Sequence, residues 1–402
     1  MSVMNTKRAF AFFLNLLCAL IIILPSGKIF YFNTKLLASL VLISLLFKVR
    51  KEIDLRKISK FVFCSFLFLI FISVSVTVGY VNNFNDTVLK ELYMFLGFYV
   101  VFLVYYLAYR SNKLDKKAFF ETIFFSSFVF YLIKVVIWSL LYAHVLNVES
   151  LSGFILRVFN SDSMIGPVVK GMRINFVFDL FSIFIVVFLR NISEVCSDQK
   201  NNSFLYVYIL LSSFSIYLAY SRYIWFSFLL LMTLKCLFNL KDILERKIFC
   251  TAIVSFMLCV FLFSNPFDRI SGADTQNSDK IRVVQSNFIA KDFVSHPLLG
   301  LGMGGYDKDC IRSIPAIFAY EMEIPAFLMK FGVIGFLTLC AILFFYLQKL
   351  YANRSYFLLF SFLVALSYGF FNPYVIKSPF SLLMFMLYLL SEHEAGAAAG
   401  GN

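Results

Sequence analysis

Long apolar runs, broken by short charged segments, set the rhythm of this chain. They recur at roughly 9–26, 29–47, 61–80, 91–109, 118–142, 174–190, 204–220, 223–239, 248–264, 326–347, 355–371 and 374–391. Most are close to the about 20 residues that an α-helix needs to cross a hydrocarbon core about 30 Å thick. Backbone groups in lipid must find partners within the segment, so helix is the expected state of each run. The pattern predicts an all-α polytopic membrane protein with about twelve transmembrane helices, forming a single domain over residues 1–394. Two segments depart from the rhythm because they are too long to be turns: 144–173 and 265–325. The second begins turn-rich (N-P-F-D-R-I-S-G). Apolar residues at helical spacing over Ile281–Val294 then predict a helix lying at the membrane face. Long loops of this kind tend to carry function.

Charge orients the runs. Alternate loops hold Lys48, Arg50, Lys51, Arg56, Lys57 and Lys60; then Arg110, Lys113, Lys116 and Lys117; then Arg190 and Lys200; then Lys241, Arg246 and Lys247; then Lys349 and Arg354. The short loops between them are nearly free of basic residues, which by the positive-inside rule predicts both termini in the cytoplasm and both long segments outside. Composition agrees: 61% of residues are hydrophobic and the net charge is +13. The basic residues are scattered over membrane-flanking loops and form no stripe, which speaks against nucleic-acid binding. The eight cysteines contain no C-x-x-C, and the three histidines form no H-E-x-x-H, so neither a disulfide framework nor a metal site is indicated, and no cofactor is expected. Residues 395–402 (A-G-A-A-A-G-G-N) have the composition of an appended linker and are set aside.

Candidate chemistry gathers on the predicted outer face. Arginine suits an anionic phosphate because its guanidinium is a planar, permanently charged fork. Arg157, Arg173, Arg222 and Arg282 lie there on separate elements, with Lys170 close to Arg173. Arg222 stands in A-Y-S-R-Y-I-W-F, where two runs meet with almost no loop. It is either a functional cation, with Tyr223 beside it, or an interfacial anchor in an aromatic belt with Tyr220 and Trp225. Glu321 and Glu323 precede the run at 326. One of them could accept a proton from a hydroxyl, or both could simply favour a helix start. His296 opens H-P-L-L-G-L-G and is as readily structural as catalytic. Gly300, Gly302, Gly304 and Gly305 permit a tight turn and a close approach of backbone. Lys134 and Asp179 are ionisable groups inside predicted spans and are expected to pair, with a structural role first and a transport role second.

The order of these features resembles the bacterial O-antigen polymerase and O-antigen ligase superfamily, integral membrane glycosyltransferases of the GT-C type. The likeness rests on Ser221-Arg222 at a hairpin, Arg282 opening the large loop, and His296-Pro297-Leu298-Leu299-Gly300-Leu301-Gly302. It continues with Glu321-Met322-Glu323 and Gly332-Val333-Ile334-Gly335. Ligases of that family carry His-Asn where this chain has Glu321-Met322, so the resemblance is to the polymerase form. It implies polymerisation of undecaprenyl-pyrophosphate-linked oligosaccharide repeats at the outer leaflet of the bacterial inner membrane, among membrane lipid, with a chain-length regulator as protein partner. Arg222 and Arg282, with Arg173, would hold the donor pyrophosphate, and Glu321 or Glu323 would be the base; His296 would keep a shared structural role. The alternatives are an O-antigen ligase, a lipid-linked oligosaccharide flippase, and a peptidoglycan-type polymerase relying on a loop aspartate among Asp279, Asp292, Asp307 and Asp309. A flippase would be expected to have short loops on both sides, against one here of about sixty residues.

Overall fold

A computed structural model of the protein describes residues 3–24, 28–29, 32–49, 58–159, 164–168, 171–196, 202–238, 243–263, 273–311 and 316–400. Lys170 and the basic residues Arg50, Lys51, Arg56, Lys57, Lys200 and Lys241 lie outside them. The described chain is overwhelmingly helical, and each of the twelve apolar runs contains a helix. Among the described residues, five helices are long and apolar enough to cross a membrane: Ser59–Val81, Asn85–Arg110, Lys116–Tyr142, Glu245–Phe263 and Glu323–Ala352. Shorter apolar helices occupy Arg8–Ile23, Thr34–Phe47, Phe204–Leu218 and Tyr356–Phe370. The protein is an all-α membrane-embedded protein.

The helices form two compact units, Met1–Glu52 with Val104–Ala273 and Ile53–Leu103 with Asp274–Asn402. The first unit contains α1 (Val3–Ile23), α2 (Thr34–Val49), the end of α4 (Asn85–Arg110), α5 (Lys116–Tyr142), α6 (Val148–Phe159), α7 (Asp179–Val187), α8 (Leu189–Cys196), α9 (Asn202–Leu218), α10 (Arg222–Phe238) and α11 (Ile243–Phe263). It also holds two short antiparallel strand pairs, β1–β2 (Lys28–Ile29, Phe32–Asn33) and β3–β4 (Met164–Val168, Gly171–Asn175). In this unit α5 packs against α1 and α9, and α9 against α11. Phe124 stacks on Tyr208 with ring centroids 4.3 Å apart, and the Tyr105 hydroxyl donates to the Leu14 carbonyl at 2.8 Å.

The run at 174–190 is not one helix. Strand β4 ends at Asn175, and α7 covers only nine residues before a break at Phe188. Asp179 ties the turn that leads into α7: its Oδ2 accepts the Phe176 N–H at 2.7 Å. The other oxygen, Oδ1, takes the Lys134 ammonium at 2.7 Å, and Lys134 also donates to the Ser215 carbonyl at 2.8 Å. This expected pair is fully buried and ties α5, α7 and α9 together.

The second unit holds α3 (Ser59–Val81), the start of α4, α12 (Ala273–Ser295), α13 (Glu323–Ala352), α14 (Tyr356–Ser367) and α15 (Ser378–Gly400). Helix α12 contains the helix expected at Ile281–Val294. The core between α3, α4 and α13 is aromatic: Phe71, Phe95 and Phe331 meet mutually, with Phe71 edge-on to Phe331 at 4.9 Å.

Removing one partner of a buried ion pair strands the other charge, which costs about 3–5 kcal/mol, whereas replacing both by apolar residues is often neutral. Lys134→Met and Asp179→Leu should therefore each lower the melting temperature in detergent, and the double variant should recover most of the loss. A double variant destabilised by the sum of the two single losses would show that the two charges act independently and that the pair is not the tie.

Candidate functional site

Arg282 and Gln285 are three residues apart and share one face of α12. Arg282 Nε lies 3.1 Å from Glu321 Oε2, and its NH1 lies 3.0 Å from Asp279 Oδ1. The Glu321 N–H donates to Gln285 Oε1 at 3.0 Å, so α12 holds Glu321 by both backbone and carboxylate. Arg282 and Glu321 retain 23% and 14% side-chain exposure, while the contacting Nε and Oε2 atoms are themselves buried. Glu323 is differently employed. It is buried at the start of α13, and its carboxylate accepts the N–H groups of Val375 (2.7 Å) and Ile376 (3.3 Å). Of the two glutamates, Glu323 anchors the loop between α14 and α15, and Glu321 faces a cation.

Beneath this pair lies a joint that both glycine motifs build. Helix α13 breaks at Gly332, whose φ of 60° and ψ of −172° no helical residue adopts. A continuous helix would bond Val333 N–H to Met329 O and Ile334 N–H to Lys330 O. Here Val333 N–H goes to Pro297 O (2.8 Å) and Ile334 N–H to Leu298 O (3.2 Å). The two released carbonyls are taken by the same turn: Leu301 N–H bonds Met329 O (3.0 Å) and Gly302 N–H bonds Lys330 O (2.7 Å). The turn continues against α3 and α4. Met303 N–H donates to Ser75 O at 2.8 Å, Asn82 Nδ2 to Leu301 O at 3.0 Å, and Thr87 Oγ1 to Gly304 O at 2.7 Å. Gly302 has a φ of 86°, and a Cβ there would overlap the backbone of Gly79 in α3; one at Gly332 would overlap the Leu298 carbonyl. The close backbone approach expected of the glycine-rich stretch is therefore made, and its partners are α3, α4 and the break in α13.

A buried ion pair underlies the joint: the Lys330 ammonium meets Glu91, and Glu91 Oε2 accepts the Gly304 N–H. The sequence reading passed over Glu91, Lys330 and Gln285. An ionisable residue inside an apolar run was the signal for the first two, the same signal that pointed to Lys134 and Asp179.

The remaining candidates are dispersed. His296 is exposed at the start of the turn, held through its backbone N–H by the carbonyls of Asp292 and Phe293. Arg173, Arg222 and Tyr223 belong to the first unit. Arg173 sits in β4 opposite Gly166. Arg222 opens α10, four residues after α9 ends, beside Tyr220, whose φ is 47°. Trp225 stacks on Tyr217 at 5.9 Å, meets Tyr220 edge-on at 5.4 Å, and donates from Nε1 to the Ile216 carbonyl. Arg157 donates to the Gly153 carbonyl within the exposed helix α6. Among the loop aspartates, burial and the neighbouring Asp307 charge raise the Asp292 carboxyl above the usual carboxylate range. Among the described residues no group of three or more His, Cys, Asp or Glu is arranged to hold a metal ion.

No family model, characterised protein or solved structure matches the chain. The functional reading therefore stands on the motif residues and their geometry.

A side chain at a left-handed glycine costs about 1–3 kcal/mol in strain before any overlap is counted. Gly302→Ala and Gly332→Ala should each lower the melting temperature sharply. Gly97→Ala, inside α4 with open space around its Cβ, should leave it unchanged or raise it slightly. Equal melting of all three variants would remove the joint from its structural role.

Proposed function

We propose that the protein is a membrane glycosyltransferase of the polymerase type. It joins undecaprenyl-pyrophosphate-linked oligosaccharide repeats into O-antigen or a related polysaccharide. In this reading the chain crosses the bacterial inner membrane about twelve times with a GT-C-like arrangement, both termini are cytoplasmic, and the Arg282 side of the second unit faces the periplasm. The observation that carries the reading is the Arg282–Glu321 pair: a guanidinium suited to diphosphate and a carboxylate suited to proton transfer, in contact and partly exposed.

The mechanism follows from that contact. The donor diphosphate competes with Glu321 for the Arg282 guanidinium. Freed from its cation, the Glu321 carboxylate takes the proton of the acceptor sugar hydroxyl. The hydroxyl oxygen forms a bond to the donor anomeric carbon while the bond from that carbon to the phosphate oxygen breaks. Undecaprenyl diphosphate leaves with the bonding electrons, its charge stabilised by arginine. The lipid diphosphate itself supplies the activation, so the reaction needs no nucleotide.

The test uses the purified full chain in detergent with one defined undecaprenyl-pyrophosphate repeat, its products resolved on a gel. A ladder of multiples is expected, and Arg282→Ala and Glu321→Gln should abolish it without loss of the folded protein. A normal ladder from Arg282→Ala would overturn the donor assignment. Transfer only when lipid A core is supplied would make the protein a ligase, and no product from the correct native repeat would favour a flippase.

A further inference from the structure

Glu321 lies in a stretch with little structure of its own. Residues 316–322 contain one short turn, closed by the Ala319 N–H on the Ala316 carbonyl at 2.9 Å. Something else must fix where the Glu321 carboxylate points. One tether is Gln285, already described. A second comes from below: the Lys330 ammonium donates to the Phe318 carbonyl at 2.6 Å, three residues before Glu321. That ammonium lies 5.2 Å from the Phe318 ring centroid and 6.0 Å from that of Tyr320. Its counterion is Glu91 of α4, and the Lys330 and Glu91 side chains are 4% and 5% exposed. Glu91 in turn holds Gly304 by its N–H, while Thr87, one helical turn earlier, holds Gly304 by its carbonyl. Lys330 therefore acts twice at the helix break. Its backbone carbonyl holds Gly302, and its side chain holds Phe318.

Charge is an expensive way to make such a tether, since apolar residues of similar size often replace a buried ion pair without loss of stability. What an apolar pair cannot do is bind a carbonyl on one side and an amide on the other. We propose that the Glu91–Lys330 pair is a positioning device that ties the Phe318–Glu321 segment to the glycine turn and so sets where the Glu321 carboxylate stands against Arg282. Neither residue touches substrate. The catalytic consequence rests on the glycosyl-transfer reading above; the tether itself does not.

Two readouts on the full chain in detergent test it, both with the variant Glu91→Leu/Lys330→Met. Hydrogen–deuterium exchange of residues 316–322 should quicken roughly tenfold as the segment loses its anchor, while exchange in α3 and α12 stays as in the parent. In the polymerisation assay kcat should fall, by about 100-fold if the carboxylate moves by an ångström, while KM for the lipid-diphosphate repeat holds, because Arg282 remains on α12. Parental exchange over 316–322 in a folded double variant overturns the proposal, as does a parental kcat. If the double variant does not fold, Glu91→Gln/Lys330→Met, which keeps an acceptor for the Gly304 N–H, strands no buried charge and still removes the donor to the Phe318 carbonyl, is judged by the same exchange. If the parent makes no polymer, the glycosyl-transfer reading fails, and the exchange measurement alone still decides whether the pair holds the segment.

Discussion

The second unit depends on a backbone exchange. A helix in an apolar medium cannot leave amides or carbonyls without partners, because each such group costs several kcal/mol. Helix α13 nevertheless breaks at Gly332, and the break is tolerable only because the His296–Gly305 turn offers the complementary set. Pro297 and Leu298 carbonyls replace the lost acceptors, and Leu301 and Gly302 amides replace the lost donors. The two glycine motifs, some thirty residues apart, are the two halves of one hydrogen-bonded joint. That joint brings the end of α12, with Arg282 and Gln285 upstream, against the start of α13, with Glu321 just before it.

Each unit also contains a buried lysine–carboxylate pair with the same division of labour. Lys134 binds the Ser215 carbonyl while Asp179 binds the Phe176 amide. Lys330 binds the Phe318 carbonyl while Glu91 binds the Gly304 amide. In both cases the cation takes a backbone carbonyl, at the end of α9 in one and in the irregular Phe318 segment in the other, and the anion takes an amide of an irregular segment. A charged pair that satisfies its spare valences on backbone converts Coulomb attraction into chain geometry. Irregular backbone at such depth is tolerated where protein groups surround it.

Much of this was legible in the chain. Every apolar run contains a helix, because hydrophobicity over such lengths leaves the backbone few alternatives. The helix at Ile281–Val294 followed from its spacing, and Lys134 and Asp179 declared themselves by sitting in apolar surroundings. The hairpin at Ser221-Arg222 was visible from the absence of a loop. The strand pair β3–β4 was not, since Met164–Asn175 carries glycine and proline where strands are usually read from β-branched alternation. The shortness of α7 was hidden as well, because Phe176–Phe188 is apolar except for Asp179 and Ser182, and nothing in that run marks where a helix would begin or break.

The candidate site divides in the same way. Arg282, Glu321 and the glycines could be named from residue type, since few side chains bind phosphate or accept a proton, and only glycine enters left-handed backbone freely. Their employment could not. Glu321 and Glu323 are two residues apart and chemically alike, yet one faces a guanidinium and the other is bound by two amides of a loop some fifty residues downstream. Gln285, Glu91 and Lys330 became part of the site only when α12, α4 and α13 came together around it. The sequence by itself determined a helical, membrane-embedded chain and the groups available for chemistry, because solvent preference and side-chain identity are local properties. Which carboxylate faces the guanidinium, and what holds it there, was decided by tertiary structure, because a hydrogen bond between residues 91 and 304 or 330 and 318 exists only once the chain has folded.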